Sequence, residues 1–278
     1  MIIKQKCKIC GTGYFSNLKK YARFIGMDGE RSTIIACNNC GVITRKPSLF
    51  EGVDIKALAP AALRETKVFV GGDANRPSAH FLERLRFAET QVKQKKMLDI
   101  GCGTGSFLKL AKERGWQVTG TEFTQETVVK LNAEQIECFH GDLTNPGLQG
   151  RTFDLIHLNH VFEHVEDPIA LLKDAQRLLA DDGMILIEVP NEFSSLVQTG
   201  KRLLGFSGAS TTNFFEHEWF FSPQTLARTI EYAGLKTKKL FTPVSLQGIS
   251  SPLLRFIHTI SARMGYGANI EAHIVKNT

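Results

Sequence analysis

The chain has 278 residues, 42% hydrophobic and 22% charged, a composition ordinary for a soluble globule and long enough for one large α/β domain plus a small module. No early run is long and apolar enough for a signal peptide, and nothing approaches 18 uninterrupted apolar residues, which predicts a cytoplasmic protein with no transmembrane segment. The net charge of +6 divides into +10 over residues 1–96 and −4 over the remainder, so the front end either meets phosphate groups or is simply a solvated surface.

Residues 1–46 hold two matching knuckles, Cys7-x-x-Cys10-Gly11 and Cys37-x-x-Cys40-Gly41. Each glycine follows the second cysteine, where a positive φ lets backbone amides turn toward the sulfurs. Asp28-Gly29 between them reads as a hairpin turn. Four thiolates at this spacing suit a structural Zn²⁺; the competing reading, two disulfides, is disfavoured in a cytoplasmic chain. A segment this short has little core, so the metal would supply much of its folding energy. With four thiolates the ion has no open position for catalysis.

Residues 47–95 read as a helical connector. Its clearest helix begins near Pro77, with apolar positions 81, 82, 85 and 88 on one face, expected to pack near the mouth of a binding site. His80 in this helix reads as a surface residue. From Met97 the pattern becomes strand, helix, strand. The apolar run Met97-Leu98-Asp99-Ile100 breaks into Gly101-Cys102-Gly103-Thr104-Gly105 and resumes with helical spacing from Phe107. Strand, glycine turn and helix in that order make a nucleotide-type cradle, because glycines admit a close ligand and free helix amides face it. The spacing is D-x-G-x-G-x-G rather than the dehydrogenase G-x-G-x-x-G. Glu122 ends the second strand 19 residues beyond Gly103, near the offset at which an acid meets ribose hydroxyls.

The third strand, residues 136–140, leads to Gly141-Asp142-Leu143, and the fourth is 153–159. In a doubly wound sheet the fourth strand lies beside the glycine-loop strand, across the point where ligands bind. The loop after it therefore brings Glu163 and His164 to the cofactor mouth. Histidine titrates near neutral pH, and a neighbouring carboxylate can orient it, as a general base requires. His157, inside the strand, reads as core, and Cys102 and Cys138 as packing thiols. Asp167-Pro168 starts a helix over 170–180, which Asp181-Asp182-Gly183 closes before a fifth strand at 184–189. An insertion about 194–221 stands where it would cover an acceptor, and its His217 is a second candidate base. A helix after Ser222-Pro223, a strand near 235–242, an amphipathic helix near 252–264 and a last strand at 270–275 complete the pattern.

The words Leu98-Asp99-Ile100-Gly101-Cys102-Gly103-Thr104-Gly105 closely resemble the first motif of class I S-adenosylmethionine (SAM)-dependent methyltransferases. After strand four, L-x-x-V-x-E-H-x-x-x-P resembles the subfamily of ubiquinone-biosynthesis O-methyltransferases and sugar C-methyltransferases. The paired knuckles resemble the zinc-binding front of nucleotide-sugar C-methyltransferases. They are also similar to the front of ribosomal-RNA guanine methyltransferases, whose last ligand is usually His where this chain has Cys40.

This resemblance implies an α/β, Rossmann-like sheet of seven strands, mostly parallel with the last antiparallel, over 96–278, behind a small zinc ribbon. It implies SAM contacts at Asp99, Gly101, Cys102, Gly103, Gly105, Glu122, Phe123, Asp142, Leu143, Asn159 and His160. Glu163 and His164 would be catalytic, with His217 beside them, and Cys7, Cys10, Cys37 and Cys40 would hold zinc. The function implied is methyl transfer to a small polar acceptor, sugar-linked (a nucleotide sugar, for example) or a secondary metabolite. Two alternatives stay open: an RNA methyltransferase using the basic zinc front, and a nucleotide-binding module without catalysis. The oligomeric state and the atom methylated are not readable from the sequence.

Overall fold

In the computed structural model the described residues are 2–4, 6–17, 34–45, 79–191, 217–244 and 250–277. The turn at Asp28-Gly29, the connector before residue 79 and most of the expected acceptor insertion lie outside them. Strands β1 (Ile2–Lys4), β2 (Tyr14–Asn17), β3 (Ile34–Cys37) and β4 (Ile43–Arg45) form an antiparallel ribbon carrying the cysteine knuckles at its turns.

The remaining elements alternate. Helix α1 (Ala79–Glu89) precedes β5 (Lys96–Ile100), α2 (Ser106–Glu113), β6 (Gln117–Glu122), α3 (Gln125–Ala133), β7 (Glu137–His140) and β8 (Phe153–Asn159). Next come α4 (Pro168–Leu178), β9 (Leu179–Pro190), β10 (Trp219–Phe220), α5 (Pro223–Tyr232), β11 (Leu235–Phe241), α6 (Pro252–Arg263) and β12 (Asn269–Lys276). The large sheet runs β11-β12-β9-β8-β5-β6-β7, parallel except that β12 is antiparallel to both its neighbours. The expected architecture is therefore the one the chain forms.

One boundary differs. The helix expected to reach residue 180 stops at Leu178, and β9 already begins at Leu179. Leu179 is buried and pairs with Phe153 of β8, so burial of its side chain in the sheet overrides the local Asp-Asp-Gly stop signal.

Strand alternation decides what each face of the sheet holds. Leu98, Ile100, Ile156, Leu158, Ile185 and Ile187 pack in one buried cluster with Leu172 of α4, Leu226 and Ile230 of α5, and the ribbon core of Ile9, Phe15 and Val42. Met97, Leu155, Met184 and Leu186 face the other way, toward Leu85 of α1, Phe107 of α2 and Leu131 of α3. On that second face Asp99, His157, Glu188, Glu271 and His273 fall at strand positions that are otherwise apolar, and all five are buried.

Two devices close over the carboxyl ends of the parallel strands. The ribbon reaches them by strand addition: β10 pairs antiparallel with β4, matching Trp219 to Thr44 and Phe220 to Ile43. Thr44 Oγ1 donates to the Glu218 carbonyl at 2.8 Å, Arg45 pairs with the Glu218 carboxylate, and Arg228 of α5 donates to the Cys40 carbonyl at 3.0 Å. On the opposite face α1 is held by Arg84. The sequence puts positions 81, 82, 85 and 88 inward, whereas the buried residues of α1 are Arg84, Leu85 and Ala88. No helix among the described residues is long and apolar enough to cross a membrane.

Candidate active site

The glycine loop follows β5. Gly101, Gly103 and Gly105 have φ of 63°, 50° and 75°. A Cβ on Gly101 would strike Val161 and one on Gly105 would strike Leu131, so these two glycines let the loop close against its neighbours. At Gly103 a Cβ would meet nothing within 4 Å, so this turn of the loop faces open space. Glu122, at the end of β6, braces the loop. Its Oε2 accepts from the Gly103 amide and its Oε1 from the Thr124 amide, both at 2.9 Å.

The neighbouring strand ends complete the rim. Asp142 accepts from the Thr144 hydroxyl at 2.6 Å and the Thr144 amide at 2.9 Å, which holds its carboxyl below the usual range. Phe123 is 71% exposed, and its carbonyl lies 2.9 Å from His140 Nε2. Leu143 packs partly buried against the core, and Cys102 Sγ sits 3.8 Å from Cys138 Sγ under the loop. Asp99 does not face the opening. It is buried on the α1 face, 2.7 Å from His157 Nδ1, and the His157 ring lies against Phe107.

The loop after β8 carries the second group. His160 has φ 53° and turns back over the sheet, its amide donating to the Glu188 carbonyl at 3.0 Å. Phe162, fully buried, stacks on Phe221, which anchors the next residue. That residue, Glu163, is 1% exposed, and its carbonyl accepts the amides of Glu218 and Trp219 at 2.8 and 3.1 Å. The strand entering β10 thus delivers His217 to Glu163. Around Glu163 Oε1 stand His160 Nδ1 at 3.3 Å, His164 Nε2 at 3.9 Å and His217 Nε2 at 4.0 Å. The rings of His164 and His217 meet edge to face, 4.7 Å between centroids. Glu163 Oε2 is buried with no hydrogen-bond partner among the described residues. The structure thus brings together the three expected catalytic side chains. Their ligand atoms lie within 4.8 Å of one another, a donor set a divalent ion could also use.

Behind this group runs a polar network that the sequence did not reveal. The Arg84 side chain donates to Glu271 Oε2 at 2.9 Å and to Asn159 Oδ1 at 2.8 Å, and also to Glu188 Oε2. Its Nη1 lies 3.3 Å from His157 Nε2. His80, read from the sequence as a surface residue, is instead half-buried here, 2.9 Å from Glu188 and 3.1 Å from Glu271. The reason is helix periodicity: His80 stands one turn before Arg84 on the same face. Hydrogen bonds to Glu188 and Glu271 raise the His80 pKa to about 9. Desolvation opposes the charge on His160, but the Glu163 and Glu188 carboxylates outweigh it and bring that pKa to about 9 as well. Burial penalises the ionised forms of Glu188 and Glu271, yet the histidines and Arg84 hold both well below the usual carboxylate range. His80, Glu188 and Glu271 also have metal-ligand proximity, but Arg84 already bridges both carboxylates. The signal that could have exposed the network is the pair of acids inside apolar strands, Ile187-Glu188-Val189 and Ile270-Glu271-Ala272, which require a buried cation.

In the ribbon, Cys7 Sγ is 3.8 Å from Cys40 Sγ and Cys10 Sγ is 3.5 Å from Cys37 Sγ, with all four within 4.8 Å. Tetrahedral Zn–S bonds of about 2.3 Å place sulfurs about 3.8 Å apart, so the donor set fits that ion. A disulfide needs about 2.05 Å, and all four cysteines are free.

A parallel sheet with an antiparallel last strand, a glycine loop after its first strand and an acid at the end of the second define a SAM-dependent methyltransferase of class I. The chain belongs to the methyltransferase-domain family, whose model matches residues 73–240. It is similar to the ubiquinone biosynthesis O-methyltransferases of Idiomarina loihiensis, at 29% identity over 63% of this chain and 74% of that one, and of Haemophilus ducreyi, at 26% over 58% and 75%. Among solved structures it resembles the plantazolicin methyltransferase BpumL, crystallised with a triazolic analogue and S-adenosylhomocysteine. That likeness has a TM-score of 0.53 at 19% identity, covering 84% of this chain and 99% of that one, and it reports on the fold alone.

The cradle fits SAM. Gly103 leaves room for a ligand where its loop faces open space, and Glu122 and Asp142 stand at successive strand ends beside it.

Proposed function

We propose that this chain methylates a hydroxyl of a small polar acceptor, sugar-linked or a secondary metabolite, with His164 as the proton acceptor. The observation that carries the reading is the Glu163 carboxylate: 1% exposed, flanked by three imidazoles, with one oxygen lacking a partner among the described residues. A buried carboxylate without its full set of bonds is costly and is kept where it does work. The His164 side chain is 38% exposed, so an acceptor can reach it, while that of His217 is 7% exposed and backs the group. The choice of oxygen is supported by the curated relatives, which are O-methyltransferases.

SAM, when bound, supplies the electrophilic methyl group. Glu122 would accept the ribose hydroxyls, and Asp142, Phe123 and Leu143 would line the adenine side. His164 takes the proton that leaves the acceptor oxygen, and Glu163 orients the imidazole and offsets its new charge. Most of the acceleration then comes from holding the reactants together. The ribbon, proposed over residues 1–46, holds one structural zinc through Cys7, Cys10, Cys37 and Cys40. Of the proposed connector, 47–95, the described part is α1, which packs on the proposed catalytic domain of 96–278.

His164→Ala is expected to lower turnover by about 10²–10⁴ with SAM affinity nearly intact, the usual share of a general base. Labelled SAM with fractionated extract supplies the acceptor for the assay. Label entering RNA in place of small molecules would overturn the acceptor class. Full activity of His164→Ala with a large loss in His217→Ala would move the base to the later residue.

A further inference from the structure

Helix α6 is mounted with its large side chains outward. Its buried residues are the small Ser261 and Ala262. Leu253, Ile257, Ile260 and Met264 recur at spacings of four, three and four, which is one face of a helix, and they are 67%, 39%, 40% and 66% exposed. Leu254 and Phe256 flank that stripe at 50% and 62%. An amphipathic helix of a globular domain normally shows the opposite arrangement, and a contiguous apolar face of this kind marks an interaction surface.

The helix is fixed in that attitude. Asn191, at the end of β9, donates to the carbonyls of Gly265 and Gly267 at 3.1 and 2.8 Å. Thr242 Oγ1 donates to the Ala262 carbonyl and accepts from the Gly267 amide at 3.1 Å. The outward face is therefore held by polar anchors at the helix end.

Charge selects the partner. Residues 235–270 contain five Lys or Arg (Lys236, Lys238, Lys239, Arg255, Arg263) and no Asp or Glu. In a twofold dimer through this face each copy would bring the same cations and no acid from this segment to meet them. An anionic lipid surface meets both features, taking Leu, Ile, Phe and Met at the acyl boundary and Lys and Arg at the headgroups.

We propose that α6 lies in the interface of an anionic membrane and holds the enzyme there. A cavity of about 630 Å³ opens beside the helix, with Arg263 and Lys239 among its lining and Arg84, Glu271 and Phe87 deeper in the fold. Docking through α6 sets that cavity next to the lipid surface. The inference is independent of which residue is the base.

The test is co-sedimentation of the full chain with vesicles of phosphatidylcholine, with and without phosphatidylglycerol. The protein is expected to sediment with the anionic vesicles, and more weakly in high salt. Arg263→Gln and Lys239→Gln should each weaken partition roughly fivefold, the share of one basic residue near such a surface. Leu253→Glu with Phe256→Glu, at exposed positions, should abolish it while thermal unfolding and SAM binding stay unchanged. Protein that remains in the supernatant, or that binds neutral vesicles equally well, overturns the proposal. So does a wild-type dimer in size-exclusion chromatography that the Leu253→Glu, Phe256→Glu variant dissociates, since the face would then belong to a second copy.

Discussion

The strand ends that carry the site are closed from two sides by devices built on different chemistry. On one face stands a ribbon gathered by four knuckle thiols and attached through a two-residue strand addition at Trp219 and Phe220. On the other, α1 attaches by one buried guanidinium set between two buried carboxylates. The first device is modular: each knuckle is complete within four residues, and a metal can assemble it. The second exists only in the finished fold, because Arg84 meets Glu188 and Glu271 across 104 and 187 residues of chain. A buried ion pair adds little net stability over an apolar substitute, yet losing one partner strands the rest. Hence the two sides should fail differently.

The largest separation between them is expected from metal removal. Purified protein should hold about one zinc per chain, and apparent binding energies of about 10–16 kcal/mol in small zinc-folded peptides set the scale for the ribbon's dependence on it. Chelation, or Cys37→Ser, should unfold the ribbon while the large sheet keeps its far-UV circular dichroism. Metal analysis that finds none, with four titratable thiols in native protein, removes the distinction. Next in size is Arg84→Ala, which leaves Glu188 and Glu271 short of a cation. Urea unfolding should report a loss of about 3–5 kcal/mol. Arg84→Met combined with Glu188→Gln and Glu271→Gln should recover much of it, and no recovery would mean that packing rather than charge sets the cost.

Smaller again is the loop brace. Glu122→Ala should weaken SAM binding by about 1.5–3 kcal/mol, since hydrogen bonds to a charged acceptor are lost, and calorimetry reads it directly. Unchanged affinity would show that the carboxylate serves only the Gly103 and Thr124 amides. The mildest effect is on pH dependence. His80 and His160 have folded pKa values near 9, above the roughly 6.5 of an unfolded histidine. Their contribution is complete below about pH 6.5 and is lost as pH rises through about 9, so the melting temperature should fall across that interval. Glu188→Gln, which removes a partner of both, should flatten the slope. A wild-type melting temperature independent of pH there would place both histidines outside the ionic network.

What was legible in the sequence follows the same division. The strand, glycine loop and helix around Gly101, the knuckles, and the adjacent Glu163 and His164 are local, and their spacing is their meaning. The seven-stranded sheet with its antiparallel last strand followed from the resemblance that the glycine motif carries, while the alternation of strands and helices placed only the fourth strand beside the glycine-loop strand. Arg84 was not legible, because a charged residue on a helix reads as solvated until its partners are in place. Nor was β10, two residues whose match to Thr44 and Ile43 has no local period. Asp99 is intermediate: its glycine motif points toward the cofactor, but alternation along β5 puts it beside Met97, on the face that His157 occupies.

The chain's two tryptophans divide between these two sides. Trp116 donates through Nε1 to Glu89 of α1 at 3.2 Å, and Trp219 donates to the Val165 carbonyl at 2.8 Å in the strand that the ribbon extends. Both are buried, so each indole emission reports the local order of one side without an added label. With Trp116→Phe the remaining fluorescence follows the thiol-bound half, and with Trp219→Phe the guanidinium-bound half. The molecule thus carries, in its own chromophores, the means to time the release of each side separately.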